Sequence, residues 1–146
     1  MRFRLPVAAL LFAGVLRLAL GSPPDIGAAR AVVMEATTGK ILWSRNADEV
    51  AFPASTTKIM TALLLIERCR PDEIITAPAD TEDVKESSMH LLPGERIRAS
   101  HLLAAIMLRS ANDGAHAAAV HIAGSDAAFA KLMNERAAEL GCENTN

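Results

Sequence analysis

The sequence predicts a mixed α/β protein in which a β-hairpin comes first and helices follow. Two short apolar runs, residues 31–35 and 40–44, flank a turn at 37–39 made of two threonines and a glycine, which is the pattern of an antiparallel hairpin. From Ser55 onward the apolar residues recur at helical spacing instead. Because a two-stranded sheet is marginally stable in water, the hairpin is expected to need further partners.

The first 21 residues have the pattern of a signal peptide. Two arginines precede an uncharged apolar stretch over 5–16, and the small residues Ala19 and Gly21 form a small-x-small cleavage motif. Arg17 ends the stretch well short of the ~20 apolar residues that a membrane-spanning helix needs. We therefore predict export of the chain, with a signal peptide over 1–21 and a mature domain over 22–146.

The composition indicates no nucleic-acid partner. The 15 lysines and arginines are balanced by 17 aspartates and glutamates, for a formal net charge of −2, and the basic residues form no stripe. Two cysteines, Cys69 and Cys142, are too few for a disulfide scaffold. Export would permit one bridge between them, but two buried thiols are the simpler interpretation.

The helix that begins at Ser55 is predicted to be central and buried. Its apolar residues, between 59 and 66, cover most of the helix circumference. A short strand over 74–76 and a loop-rich excursion over 80–95 follow. The charged segment 82–86 of this excursion is interpreted as the solvated face of a loop.

Three more helices are predicted in the last third of the chain. The first is capped by Ser100 and runs to Arg109, where the turn-forming residues 110–114 stop it. The second is rich in alanine and closes at Gly124. The third begins after a serine N-cap and covers 126–140.

A lysine in the first turn of the Ser55 helix is electrostatically out of place. Lys58 stands where a capping box has Glu or Gln, and its ammonium meets the positive end of the helix dipole, at a cost of roughly 0.3–1 kcal/mol. Positions three apart share one helix face, so Ser55 Oγ and Lys58 Nζ are expected to converge. The dipole and burial favour a neutral amine, which is a base that can activate a serine as nucleophile. The alternative is a simple cap with a lysine that extends into water.

A second polar motif, Ser110-Ala111-Asn112, lies on the break between two predicted helices. Serine and asparagine are also turn formers, so the motif by itself fits a simple helix break. Together, however, S-x-x-K and S-x-N occur here in the order found in the penicillin-interacting serine peptidases.

The segments around both motifs resemble the serine-type D-alanyl-D-alanine carboxypeptidases, the low-molecular-mass penicillin-binding proteins. The resemblance is carried by "ARAVVMEATTGKILWSRNADEVAFPASTTKIMTALL", "SSMHLLPGERIRASHLLAAIMLRSANDGAHAAAVHIAG" and "LGCENTN". It covers nearly all of the chain after the predicted signal peptide. It implies an α/β (α+β) fold, the N-terminal part of a β-lactamase/transpeptidase-like domain with an antiparallel sheet and a helical subdomain.

The resemblance also implies a role for each motif residue. Ser55 would be the acylated nucleophile and Lys58 its general base, Ser110 would relay the proton to the leaving D-alanine, and Asn112 would bind the substrate amide and help fix Lys58. The implied substrate is the D-Ala-D-Ala end of a peptidoglycan stem peptide, on the envelope side of the bacterial membrane, without metal or cofactor. β-Lactam antibiotics would acylate Ser55 as substrate mimics.

The sequence departs from the family pattern in two places. Ala111 stands where the S-D-N form has Asp, and no K-T-G motif occurs, since the only lysine after Ser110 is Lys131, in a predicted helix. In the family the K-T-G strand supplies a cation and a second oxyanion donor, and loss of one such donor costs roughly 10²–10³ in rate. We therefore expect a C-terminally truncated copy without the closing strands, weakly active or inactive and marginally folded, with membrane association only through the missing C-terminus.

Three other functions stay open at this point. A transpeptidase shares both motifs, and a class A β-lactamase would need a deacylating glutamate on a later loop. The third is a non-catalytic remnant that binds peptidoglycan or penicillin. A metal protein is not indicated, because His116 and His121 are five apart and do not share a helix face, so the histidines are interpreted as surface or loop residues.

Overall fold

The computed structural model describes residues 25–145. The chain divides into two compact units, one up to Ala51 and one from Phe52 onward. The predicted signal peptide lies outside the described residues. Within those residues, none of the helices is both long enough and apolar enough to cross a membrane.

The first unit contains the predicted hairpin. Strand β1 (Ala31–Met34) pairs antiparallel with β2 (Ile41–Arg45), and the register shifts between Val33 and Met34. Gly39 closes the turn at φ 72°, a left-handed conformation in which a side chain is disfavoured, and its N–H donates to the Glu35 carbonyl at 2.9 Å. The hairpin prediction is confirmed, with the second strand one residue later than expected.

In its described residues, 52–145, the second unit contains four α-helices and a second small sheet. The helices are α1 (Lys58–Arg68), α2 (Ala99–Arg109), α3 (Asn112–Ala123) and α4 (Asp126–Glu139). Strand β3 (Ile74–Thr76), which was predicted, pairs antiparallel with β4 (Arg96–Arg98), which was not. Strand β4 has a single apolar residue between two arginines, which is too short a pattern to predict a strand from the sequence.

Helix α3, and not α1, is the centre of this unit. It contacts the other three helices and β3, and Ala117 and Ala118 are fully buried, so the neighbouring backbones approach closely. The main core also contains larger apolar side chains: Leu65, Ile75, Leu91, Leu102 and Ile106. The prediction that α1 is central and buried holds for one side only: Leu64 and Leu65 are buried, whereas Ile59 and Ile66 are 61% and 62% exposed.

Two of the predicted helix caps are wrong and one is confirmed. Residues Ala54–Thr57 form a 3-10 turn, so that Ser55 lies inside the turn and α1 itself begins at Lys58. Such tight turns are common at helix starts. Ser100 lies inside α2, whereas Ser125 Oγ accepts from the Ala128 N–H at 3.2 Å and caps α4.

The prediction of two buried thiols is also wrong. Cys69 and Cys142 are both free; Cys69 is half-buried at the end of α1, and Cys142 is exposed after α4. Each cysteine follows the last turn of a helix and has charged neighbours in the chain, Arg68 and Arg70 beside Cys69 and Glu143 after Cys142, so the chain at these points stays close to the solvent.

Candidate active site

The four predicted site residues lie at three helix ends in the second unit. Ser55 is on the 3-10 turn, Lys58 is the first residue of α1, Ser110 joins α2 to α3, and Asn112 is the first residue of α3. Residues 55 positions apart in the chain thus meet at one place.

Each polar motif makes a hydrogen bond to the other. Ser110 Oγ donates to Ser55 Oγ at 2.9 Å, and Lys58 Nζ donates to Asn112 Oδ1 at 2.6 Å. Ser55, Lys58 and Ser110 also line one open groove of about 270 Å³. Within this arrangement Ser110 is the hydrogen-bond partner of Ser55 and Asn112 is that of Lys58, and the direct approach of Ser55 Oγ and Lys58 Nζ stays a prediction.

A left-handed backbone conformation places Ser110 in the groove. Its φ is 55°, which is uncommon for a residue other than glycine and costs of order 1–3 kcal/mol. The neighbouring residues hold this conformation, because Ala111 is fully buried and the Asn112 N–H donates to the Ser87 carbonyl at 2.7 Å. Helix α2 thus ends abruptly, and Ser110 reaches Ser55.

The charged segment 82–86 borders the same site. Asn112 Nδ2 donates to the Lys85 carbonyl at 3.2 Å, so both ends of this amide are engaged and its orientation is fixed by its two partners. The Lys85 and Glu86 side chains are exposed, in agreement with the predicted solvated face. The loop therefore has one side in water and its backbone on the candidate site.

Asp113 is a supporting residue that the sequence interpretation missed. Its carboxylate is 1% exposed and accepts hydrogen bonds from Ser88 Oγ at 2.6 Å, from the Met89 and Leu91 N–H groups at 3.0 Å each, and from the Gly114 N–H at 2.9 Å. Burial opposes ionisation, but these bonds outweigh it and lower the pKa of Asp113. Its place in the first turn of a helix, where the dipole favours an anion, was the available signal.

His116 bridges two carboxylates beside the site, an arrangement that we call the His116 clamp. Its Nδ1 lies 2.9 Å from an Asp126 carboxylate oxygen and its Nε2 lies 3.0 Å from Asp80 Oδ1. Burial of the ring opposes protonation, but the bonds to the two carboxylates and their negative charges outweigh it and raise the pKa of His116. The side chain is 12% exposed, so the interpretation of this histidine as a surface or loop residue is wrong.

The chain belongs to the D-alanyl-D-alanine carboxypeptidase family, whose model matches residues 19–146. It is 37% identical over 121 residues to the D-alanyl-D-alanine carboxypeptidase DacF of Bacillus subtilis, covering 80% of this chain and 31% of that protein. It is 34% identical over 167 residues to DacD of Escherichia coli, covering 100% of this chain and 42% of that one. The chain therefore spans a third to two fifths of the length of these relatives.

Solved structures give the same fold. Penicillin binding protein 6B of Escherichia coli superposes with a TM-score of 0.76 at 35% identity, over 83% of this chain and 42% of that one. A mutant of the Streptomyces K15 DD-transpeptidase superposes with a TM-score of 0.78 at 30% identity, over 85% of this chain and 52% of that one. The predicted α/β fold class and the predicted family are thereby confirmed.

Proposed function

We propose that this chain forms the acylating part of a serine-type D-alanyl-D-alanine carboxypeptidase. The observation that carries the proposal is the pair of hydrogen bonds that joins S-x-x-K to S-x-N, from Ser110 to Ser55 and from Lys58 to Asn112. Residues 22–146 are assigned to the N-terminal portion of the catalytic domain, and residues 1–21 to a signal peptide.

The geometry supports a defined role for each group. Ser55 Oγ attacks the carbonyl carbon of the penultimate D-alanine while its proton passes to the Lys58 amine, which acts as general base. Asn112 Oδ1 accepts one Lys58 N–H and so holds the amine at the groove, and the second Nδ2–H of Asn112 is available to the substrate amide. The helix N-terminus at Lys58 favours negative charge that develops on the substrate.

The remaining proton transfers complete the reaction. Ser110, hydrogen-bonded to Ser55, passes its proton to the nitrogen of the leaving D-alanine as the peptide bond breaks, and it takes a replacement proton from the Lys58 ammonium, which returns to the neutral amine. Water then hydrolyses the ester on Ser55 and restores the serine. The proposed substrate is a peptidoglycan stem peptide, outside the cytoplasm, and a β-lactam would acylate Ser55 and stay on it.

A transpeptidase is the second candidate. It is favoured by the superposition on a DD-transpeptidase, with a TM-score of 0.78. The acyl-enzyme on Ser55 is the same in both reactions, and they differ only in whether water or an amine takes the acyl group. Measuring D-alanine release from a stem peptide with and without an added amino acceptor separates them, because only a transpeptidase yields the aminolysis product.

The first test is mass spectrometry of the chain after incubation with benzylpenicillin. We expect a covalent adduct of the mass of the antibiotic, mapped to Ser55 and absent from Ser55→Ala. Ser100→Ala, which removes another exposed serine outside the groove, is the matched control and should retain the adduct. An adduct on a different residue, or none on a chain that circular dichroism shows to be folded, would contradict the proposal.

A further inference from the structure

A thiol, a carboxylate and an imidazole meet at the end of α1 that is remote from Ser55. Cys69 Sγ, a Glu73 carboxylate oxygen and a His121 ring nitrogen all lie within 4.8 Å of one another. Glu73 Oε1 and His121 Nε2 are in direct contact at 2.9 Å. No step of the proposed peptidase chemistry uses any of the three.

The backbone holds two of these groups in a rigid turn. The Cys69 N–H donates to the Leu65 carbonyl at 3.0 Å, and the Glu73 N–H donates to the Arg70 carbonyl at 3.0 Å. The Glu73 carbonyl in turn accepts from the Ala99 N–H at 2.9 Å, which fastens the turn to the start of α2. Cys69 and Glu73 are therefore held by the backbone hydrogen bonds of this turn, and the third residue, His121, belongs to α3.

We propose that Cys69, Glu73 and His121 form a zinc-binding site. Thiolate, carboxylate and imidazole are the three ligand types that proteins use for Zn²⁺, and a tetrahedral ion with bonds of about 2.0–2.3 Å holds its ligand atoms about 3.3–3.7 Å apart. The Glu73–His121 separation of 2.9 Å is slightly shorter than this range and no separation exceeds 4.8 Å, so shifts of about 1 Å close the site around the ion. Water takes the fourth position, since the His121 and Glu73 side chains are 29% and 32% exposed.

The charges of the site also match a divalent cation. Zinc binds the thiolate form of cysteine, so Cys69 must give up its thiol proton. When the ion binds, Sγ releases that proton to water as the metal–sulfur bond forms, and the imidazole proton resides on Nδ1 so that Nε2 can ligate. One thiolate and one carboxylate then neutralise the two charges of Zn²⁺.

The site would add a metal link between three elements that already pack together in the core. It connects the end of α1, the turn before β3 and the exposed face of α3, and an ion that binds only the folded state stabilises it. Sequence spacing hides the site because Cys69 and His121 are far apart in the chain.

The test uses the full 146-residue chain and Co²⁺, a spectroscopic substitute for Zn²⁺, because a cobalt–thiolate bond absorbs in the near ultraviolet. We expect this band to grow up to one equivalent of Co²⁺ and to disappear when Zn²⁺ is added. The band should be absent from Cys69→Ser and unchanged in Cys142→Ser, the matched control that removes the other thiol. Thermal unfolding of the original chain should shift upward with Zn²⁺.

A second variant separates ligation from folding. His121 lies on an exposed helix face, so His121→Ala is expected to keep its circular dichroism spectrum and to lose Zn²⁺ affinity at least about 100-fold, because even outer-shell changes cost about 10–100-fold. Competition with a chromophoric chelator measures this affinity. A cobalt band that persists in Cys69→Ser, one that vanishes in Cys142→Ser, or the lack of any band in the folded chain would each overturn the proposal.

Discussion

At the scale of the residue, Lys58 occupies a position that is electrostatically unfavourable for an ammonium but suitable for a general base. The start of α1 repels an ammonium, yet Asn112 Oδ1 holds the lysine there at 2.6 Å. A lysine placed there for stability alone would extend into water. The cost of the position is therefore an argument for the proposed general base.

Replacing this base should abolish most of the acylation. We expect Lys58→Ala to slow the reaction of Ser55 with benzylpenicillin by about 10²–10⁴-fold, which is the usual contribution of a general base. The rate is measured by mass spectrometry over time. Lys131→Ala, an exposed lysine on α4, is the control and should react at the original rate; equal slowing in both variants would refute the assignment.

Asp113 does not contact the four candidate site residues through its carboxylate; it positions the loop 88–91. We expect Asp113→Asn to lower the free energy of unfolding by about 2–4 kcal/mol, because its amide hydrogens face the N–H donors and leave buried groups unpaired. Urea unfolding measures the change. Asp83→Asn, at an exposed carboxylate, should change stability by less than about 0.5 kcal/mol. A fully stable Asp113→Asn would show that the carboxylate does not hold the loop 88–91.

At the scale of the element, the helices are connected by polar contacts at their edges. His116 joins α3 to Asp126 at the start of α4 and to Asp80 in the loop after β3. Arg136 of α4 donates to Glu67 of α1 at 2.9 Å. Partly exposed pairs such as Arg136 and Glu67 contribute little individually, whereas His116 is shielded and its contribution depends on pH.

The His116 clamp should make stability fall as the pH rises. The pKa of His116 is raised in the folded state, so its stabilisation is fully present below the unfolded value near 6.5 and is lost as the pH rises through the folded-state pKa. Thermal unfolding from about pH 5.5 to about pH 8.5 tests this. The dependence should be reduced in His116→Gln and kept in His101→Gln, at an exposed histidine; the same slope in both variants would exclude the clamp.

At the scale of the whole molecule, the two units differ in how much of their apolar surface they bury. The helical unit has a continuous core around α3, with Leu102 and Ile106 almost fully buried. The hairpin keeps Val32, Ile41 and Leu42 more than half exposed, as expected for a sheet of two strands. The candidate active site and the proposed zinc site both belong to the unit with the core, where side chains can be held in place.

The sequence by itself determined the hairpin, the helices, the family and the four candidate residues around Ser55. These features depend on local signals: glycine at left-handed turns, helical spacing of apolar residues, and two short motifs in a defined order. Only the tertiary structure decided that Asp113 holds the loop 88–91 and that Cys69 lies close to His121. Such contacts join residues far apart in the chain, and their geometry is set by how the helices pack, which no local pattern encodes.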